Sequence, residues 1–278
     1  MNAWQGDQAA GLRRLFGGRG PQVVAFASGR EACGRTTLIV QSAVALAASG
    51  HAVVIVDENP GPSNAVSAFG LAPRGDLAHA VTGDRSLRQV MLPAAPLVHI
   101  VPASQAARDF DHLTPAGRQR LVACLGEISR DAAFVLIDCA TRRGGHLSPL
   151  ALAARHMAVV VAAQGSAITH AYALMKRLSQ ERGRGDFHIA ITRARGDVEA
   201  RAIFDNMRRV AKDHLDARMA FLGASKVPVT DHLADALLSR LPMPVDDEGD
   251  GWNPSASLLS AGWAPSSQGV MMAHDSVV

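Results

Sequence analysis

The sequence predicts a doubly wound α/β fold, a mostly parallel sheet with helices on both faces. Six apolar runs carry that prediction: VVAFAS from Val23, AVVIVD from Ala52, LVHIVPA from Leu97, FVLIDCA from Phe134, MAVVVAA from Met157 and FHIAIT from Phe187. Each is continuous rather than alternating, as expected of strands buried on both faces. Segments of helical period separate them, at about 35–49, 114–129, 147–155, 167–182, 197–213 and 229–239. Strands alternating with helices build parallel βαβ units, whose ligands bind at the carboxyl ends of the strands.

The first unit holds the most informative stretch. After the strand at Val23 come Gly29, Arg30, Glu31, Ala32, Cys33, Gly34, Arg35, Thr36 and Thr37, then a helix from Leu38. A strand, a Gly-bounded loop ending in Gly-basic-Thr, and a helix is the layout of a phosphate-binding loop. There, backbone N–H groups and the helix N-terminus cradle the phosphates. The pattern G-x-x-x-x-G-K-S/T places a lysine where Arg35 stands, and the first lysine of the chain is Lys176. These residues leave three outcomes open: hydrolysis of a nucleotide, binding without hydrolysis, or neither.

The flanks read differently. Residues 1–20 hold one short helical candidate, Asp7 to Phe16, followed by the break Gly17-Gly18-Arg19-Gly20, so they form a tethered arm. Residues 21–243 form the α/β domain. From about 244 to 278 the chain is rich in Ser, Gly, Pro and Asp and lacks a helical period, the composition of a disordered tail.

Composition narrows the function class. A formal charge of +3 over 278 residues is small and its basic residues are scattered, so direct nucleic-acid binding is not expected. Three cysteines, Cys33, Cys124 and Cys139, without a C-x-x-C pair indicate a reducing compartment. The eleven histidines show no H-x-x-x-H spacing, and no zinc site is indicated. With no signal-like stretch in the first twenty residues and no run of about 18 apolar residues, a cytoplasmic protein is expected. In the tail, Leu258, Leu259, Trp263, Met271 and Met272 lie among Ser, Gly and Pro without a basic face, which supports membrane binding only weakly.

Six motifs in order carry a family resemblance. Asp7 to Arg13 read DQAAGLR, just before the loop; Asp57-Glu58-Asn59-Pro60-Gly61 and Asn64 follow the second strand. LTPAG lies at 113–117, ISRDAAFVLID at 128–138 and AITHAYALMK at 167–176, with Val227-Pro228 ahead of the last helix. Over about residues 7 to 240 this series resembles the FlhG/FleN proteins, MinD-like regulators of flagellar number in bacteria. The resemblance implies a MinD/ParA-type fold and an ATP or ADP site with Mg²⁺.

Carried over residue by residue, the resemblance exposes departures. The signature lysine that reaches across a dimer corresponds to Arg30, and the phosphate-binding lysine to Arg35; a planar fork is not a conservative replacement in a tight loop. The two loop glycines correspond to Glu31 and Ala32. Unless Glu31 turns outward or pairs with Arg30, its carboxylate opposes a polyanion by about 4 kcal/mol at ~4 Å and an effective dielectric of ~20. Cys33 fills the family's Val position. Thr36, Asp57 and Asp138 remain as the expected surroundings of Mg²⁺. The water-positioning acid corresponds to Asn59, which can orient a water but cannot act as a carboxylate base. Thr141 replaces the glycine of the switch, and Thr192 stands at the base-reading Asn.

The arm, by contrast, keeps its pattern. In FlhG proteins it resembles an activator of the FlhF signal-recognition-type GTPase, and the resemblance places Gln8 at the composite GTP site, with Asp7, Leu12 and Arg13 seating the helix. The expected function is therefore regulation of flagellar number or placement through an FlhF-type GTPase, with ATP hydrolysis weak or lost. Flagellar switch proteins, a flagellar transcription activator and a homodimer are further implied partners, with recruitment to the cell pole or flagellar base. Two alternatives are an active MinD-like ATPase that dimerises on ATP, and a MinD-like protein of another polar or secretion system.

Overall fold

The computed structural model describes residues 20–141, 145–215 and 217–225. The arm apart from Gly20, with Asp7, Gln8, Leu12 and Arg13, lies outside the described residues. So do Val227-Pro228, the helix expected at 229–239 and the tail from 244.

The first half runs β1 (Gln22–Ala27), α1 (Arg35–Ala48), β2 (Val53–Asp57), α2 (Ala65–Ala68), α3 (Leu77–Thr82), α4 (Leu87–Val90), β3 (Leu92–Ala95), β4 (Val98–Pro102) and α5 (Ser104–Asp109). A 3₁₀ turn at Phe110–His112 leads on to α6 (Pro115–Asp131), β5 (Phe134–Asp138), α7 (Pro149–Ala153), β6 (His156–Ala162), α8 (Gly165–Arg182), β7 (Asp186–Thr192), α9 (Asp197–Leu215) and β8 (Arg218–Ser225). Among the described residues, eight strands form one sheet in the order β3-β4-β2-β5-β1-β6-β7-β8. Every pair is parallel except β3 with β4. The doubly wound α/β expectation therefore holds.

Both faces of the sheet are covered, as the continuous runs require. Val23, Ala25 and Ala27 of β1 enter one core with α3 to α9; Val24 and Phe26 enter the other with α1 and α2. Phe26, Phe134 and Phe187 are fully buried, each worth about 1.5–3 kcal/mol of transfer free energy. Local side chains set the helix starts. Thr114 accepts from the Gly117 N–H (3.1 Å) ahead of Pro115, and Ser148 Oγ accepts from the Ala151 N–H (3.0 Å) ahead of Pro149. Asp76 ties two helices together: it accepts from the Ala78, Gln105 and Ala106 N–H groups at 2.9, 2.9 and 3.0 Å.

Two strands and four short helices have no counterpart in the sequence reading. Both strands, β3 and β8, are sheet edges. An edge strand lacks the double burial that makes a continuous apolar run, and β8 alternates in burial while β3 contains Pro93. Helices α2 to α5 are four to six residues long, too short for a helical period to register.

A pair of interior histidines gives the fold an acid-sensitive element. His156 Nε2 faces Gln22 Oε1 at 3.0 Å, and its ring meets His188 of β7 edge-on, centroids 5.4 Å apart. Burial, then His188, Arg155 and Arg184, push His156 down to about 4. Burial and Arg184 outweigh Asp186 in lowering His188. Both folded values lie below the unfolded value of about 6.5, so the unfolded chain gains protons first as pH falls from about 6.5 toward 4. The associated stability is present above about pH 6.5 and lost through that window. Discounted for partial exposure of His156, the loss between pH 7 and 4.5 is about 1–2 kcal/mol. Urea unfolding at the two pH values is expected to show that much extra acid loss in the wild type over His156→Gln.

Candidate functional site

The site follows from strand register. Asp57 at the end of β2 pairs with Asp138 at the end of β5, and Phe26 of β1 pairs with Asp138 from the other side. Thr192 closes β7. The carboxyl ends of these strands thus bring Ser28, Asp57, Asp138 and Thr192 under the loop of residues 29–37, which runs directly into α1.

Gly29 is required by close approach. A Cβ there would lie 2.2 Å from the carbonyl carbon of His170 and 2.5 Å from the Ala171 nitrogen, so the loop packs on the backbone of α8. Arg30 donates to Ser166 Oγ at the start of α8 (2.8 Å), and Glu31 is exposed. Ala32 stands in the left-handed region at φ 57°, as does Gly34 at φ 82°. An L-residue pays about 1–2 kcal/mol in that region. Ala32→Gly is therefore expected to raise unfolding free energy by about 0.5–1 kcal/mol, net of the entropy glycine adds to the unfolded chain, as read by urea denaturation. Cys33 is buried, its thiol donating to the Arg30 carbonyl (3.3 Å), and its carbonyl accepts from Thr192 Oγ1 (2.7 Å). Thr192 thus braces the loop from β7, while Thr37 and Thr141 are exposed.

Arg35 turns inward. Its Nε donates to Asp138 Oδ1 at 2.5 Å and its terminal nitrogen to Ser28 Oγ at 3.1 Å. Burial works to lower the guanidinium's pKa, but Asp138 outweighs it and the net direction is up. The second oxygen of Asp138 accepts from Thr36 Oγ1 (2.6 Å), which in turn accepts from Asn59 Nδ2 (3.2 Å). Asn59 Oδ1 is held by the Gly61 N–H (3.0 Å). Asp57 accepts from the Asn59 and Val66 N–H groups at 3.1 and 3.0 Å. Burial, reinforced by Asp138, pushes Asp57 up to about 7.

The sequence reading assigned Glu58 no role, yet this side chain is fully buried beneath the site. It accepts from Ser148 Oγ (2.5 Å) and from the Ala140 N–H (3.4 Å), and its own N–H donates to the Asp138 carbonyl (3.1 Å). Burial pushes it up to about 7 against the opposing Ser148 bond. Glu58 thereby joins β2 to the segment after β5 and to the start of α7. The signal available in sequence was a second acid directly after a strand buried throughout.

Thr36, Asp57 and Asp138, the ligands expected for Mg²⁺, do come together, but each is committed to a protein partner and Arg35 shares the Asp138 carboxylate. Mg²⁺ requires several oxygens at about 2.0–2.1 Å in near-octahedral array; these side chains as arranged do not fit it. Among the described residues no group of three His, Cys, Asp or Glu side chains converges on a metal position. No described helix is long and apolar enough to cross a membrane.

Comparison with known proteins places this geometry. No family model matches the chain. The antiactivator FleN of Pseudomonas aeruginosa is 31% identical over 202 residues, 73% of this chain and 72% of that protein. The flagellum site-determining protein YlxH of Helicobacter pylori is 22% identical over 204 residues, 72% of this chain and 68% of that protein. Among solved structures, a chain of the MinC:MinD cell division protein complex of Aquifex aeolicus superposes with a TM-score of 0.57 at 18% identity, covering 79% of this chain and 89% of that one. MinD of Pyrococcus horikoshii with Mg-ADP gives 0.53 at 18% identity, covering 87% and 94%.

Proposed function

We propose, for a chain that belongs to the FlhG/FleN-like flagellar regulators of the MinD/ParA family, that its output is contact with partners rather than ATP turnover. Regulation of the flagellum is the role it shares with its relatives. The observation that carries the finer reading is Asn59: the residue at the water-positioning place gives its amide to Thr36 and its oxygen to Gly61. An amide is no carboxylate base, and its oxygen is already turned to the Gly61 N–H. Hydrolysis is weak or lost on this reading. ATP or ADP, if taken up, rests on the N–H groups of the loop and of the first turn of α1, which have no intrahelical partners; the neighbouring MinD structure with Mg-ADP supports a nucleotide there.

The working surface is then the arm of residues 1–20, joined to a domain spanning 21–243 and followed by a tail. Gln8 enters the site of an FlhF-type GTPase and orients its attacking water, with Asp7, Leu12 and Arg13 seating the helix. Other faces serve a flagellar switch protein, a transcription activator or a second copy of the chain, in the cytoplasm at the pole or flagellar base. Adding the full chain to an FlhF-type GTPase is expected to raise GTP turnover, and Gln8→Ala to remove the effect. Absence of stimulation would sink the mechanism; phosphate release from ATP that Asp138→Ala abolishes would instead restore the ATPase reading.

A further inference from the structure

We propose that Arg35 is a built-in cation that replaces Mg²⁺ at Asp138, so that this site takes a nucleoside polyphosphate without metal or not at all. The inference rests on reading the loop as an ancestral nucleotide site and is independent of the partner arm. It goes beyond a missing lysine, because it assigns the arginine a position and a task.

Three features of the geometry lead to it. First, Arg35 donates its Nε–H to Asp138 Oδ1 and a terminal N–H to Ser28 Oγ, so the head lies along the floor of the site. Its side chain is 13% exposed and that of Asp138 is 0% exposed. Second, every other prospective metal ligand is engaged: Thr36 with Asp138 and Asn59, Asp57 with two backbone N–H groups. Third, a guanidinium does not lose its proton near neutral pH and has no lone pair to offer a metal. A metal could enter only by expelling Arg35 from a buried carboxylate. In the ordinary loop the basic residue is a lysine, a compact charge on a flexible stem; the forked head of arginine instead spans Asp138 and Ser28 together.

Among the described residues the charge balance of the floor agrees with this. Asp57, Glu58 and Asp138 are all buried within a few residues of one another in the sheet, and Arg35 is the cation paired with Asp138. One guanidinium supplies a single positive charge where a metal would supply two.

The test is the Mg²⁺ dependence of mant-ADP binding, followed by fluorescence in Mg²⁺ and in EDTA. Wild type is expected to bind with affinities within about twofold of each other in the two buffers, or to bind in neither. Arg35→Lys, which withdraws the fork, is expected to bind at least about tenfold more tightly in Mg²⁺ than in EDTA, and Asp138→Asn on that background to remove the gain. A tenfold Mg²⁺ preference in wild type that Asp138→Asn removes would overturn the proposal, as would metal-independent binding or no binding by a folded Arg35→Lys. Should Arg35→Lys fail to fold by circular dichroism, Arg35→Gln provides the second variant, read by the same criterion. GTPase stimulation through Gln8 is read in a separate assay, so either idea can fail without the other.

Discussion

Arg35→Ala is expected to lower unfolding free energy by about 3–5 kcal/mol, the usual cost of removing one partner of a buried ion pair. The loss comes from what remains. Asp138 is fully buried, and without Arg35 its carboxylate keeps Thr36 as a donor but, among the described residues, no cation. Its neighbours add to the strain: Asp57 and Glu58 already lie at about 7 because burial disfavours their charged forms. Both folded values are above the unfolded ones, so the folded state binds protons more readily, and stability drawn from these two groups falls as pH rises through about 7. Removing the cation accentuates that trend. The deficit of Arg35→Ala is therefore expected to be larger at pH 8 than at pH 5, where Asp57 and Glu58 carry protons. Pairing Arg35→Met with Asp138→Asn removes both charges and is expected to recover a large part of the loss, which a double-mutant cycle from urea unfolding at pH 8 measures. A deficit under about 1 kcal/mol for Arg35→Ala would show that the pair is not the structural tie described.

Gly29→Ala is the second large effect. The added methyl would stand 2.2, 2.3 and 2.5 Å from the His170 carbonyl carbon, its oxygen and the Ala171 nitrogen. All three are backbone atoms in the second turn of α8, so no side-chain rotation relieves the clash. Helix α8 is packed through Ala171, Leu174, Met175 and Leu178 against the larger core, and a rigid shift of it disturbs that packing. A loss of about 3 kcal/mol or more is expected, at the upper end for overpacked positions. The same substitution at Gly126 of α6 or Gly165, where a Cβ meets nothing within 4 Å, makes the control. Thermal unfolding followed by circular dichroism is expected to show a large fall in Tm for Gly29→Ala and little change for the controls.

Much of the site was legible because its parts sit at strand ends. Asp57 and Asp138 close apolar runs, the loop follows β1 directly, and a parallel sheet collects all of these at one edge. Of the two escapes considered for Glu31, pairing with Arg30 is not what forms: Arg30 binds Ser166, and Glu31 is exposed. Glu58 was not legible as a working residue. Its partner Ser148 is 90 positions away and comes within reach only through α7, and Ala140 belongs to the segment after β5. Arg35 read as a defective phosphate ligand, since nothing local says whether a long side chain points to the loop mouth or to the floor.

What the sequence determined by itself was the fold class and the family. Continuous burial imposes a periodicity of composition, and a motif is a local string, so both survive without coordinates. Tertiary structure alone decided that β5 lies between β1 and β2, that Gly29 serves a helix 140 positions onward, and that Arg35 pairs with Asp138. Those outcomes depend on distances between segments far apart in the chain. Close packing and the cost of an unpaired buried charge choose among them, and neither can act until the sheet has assembled.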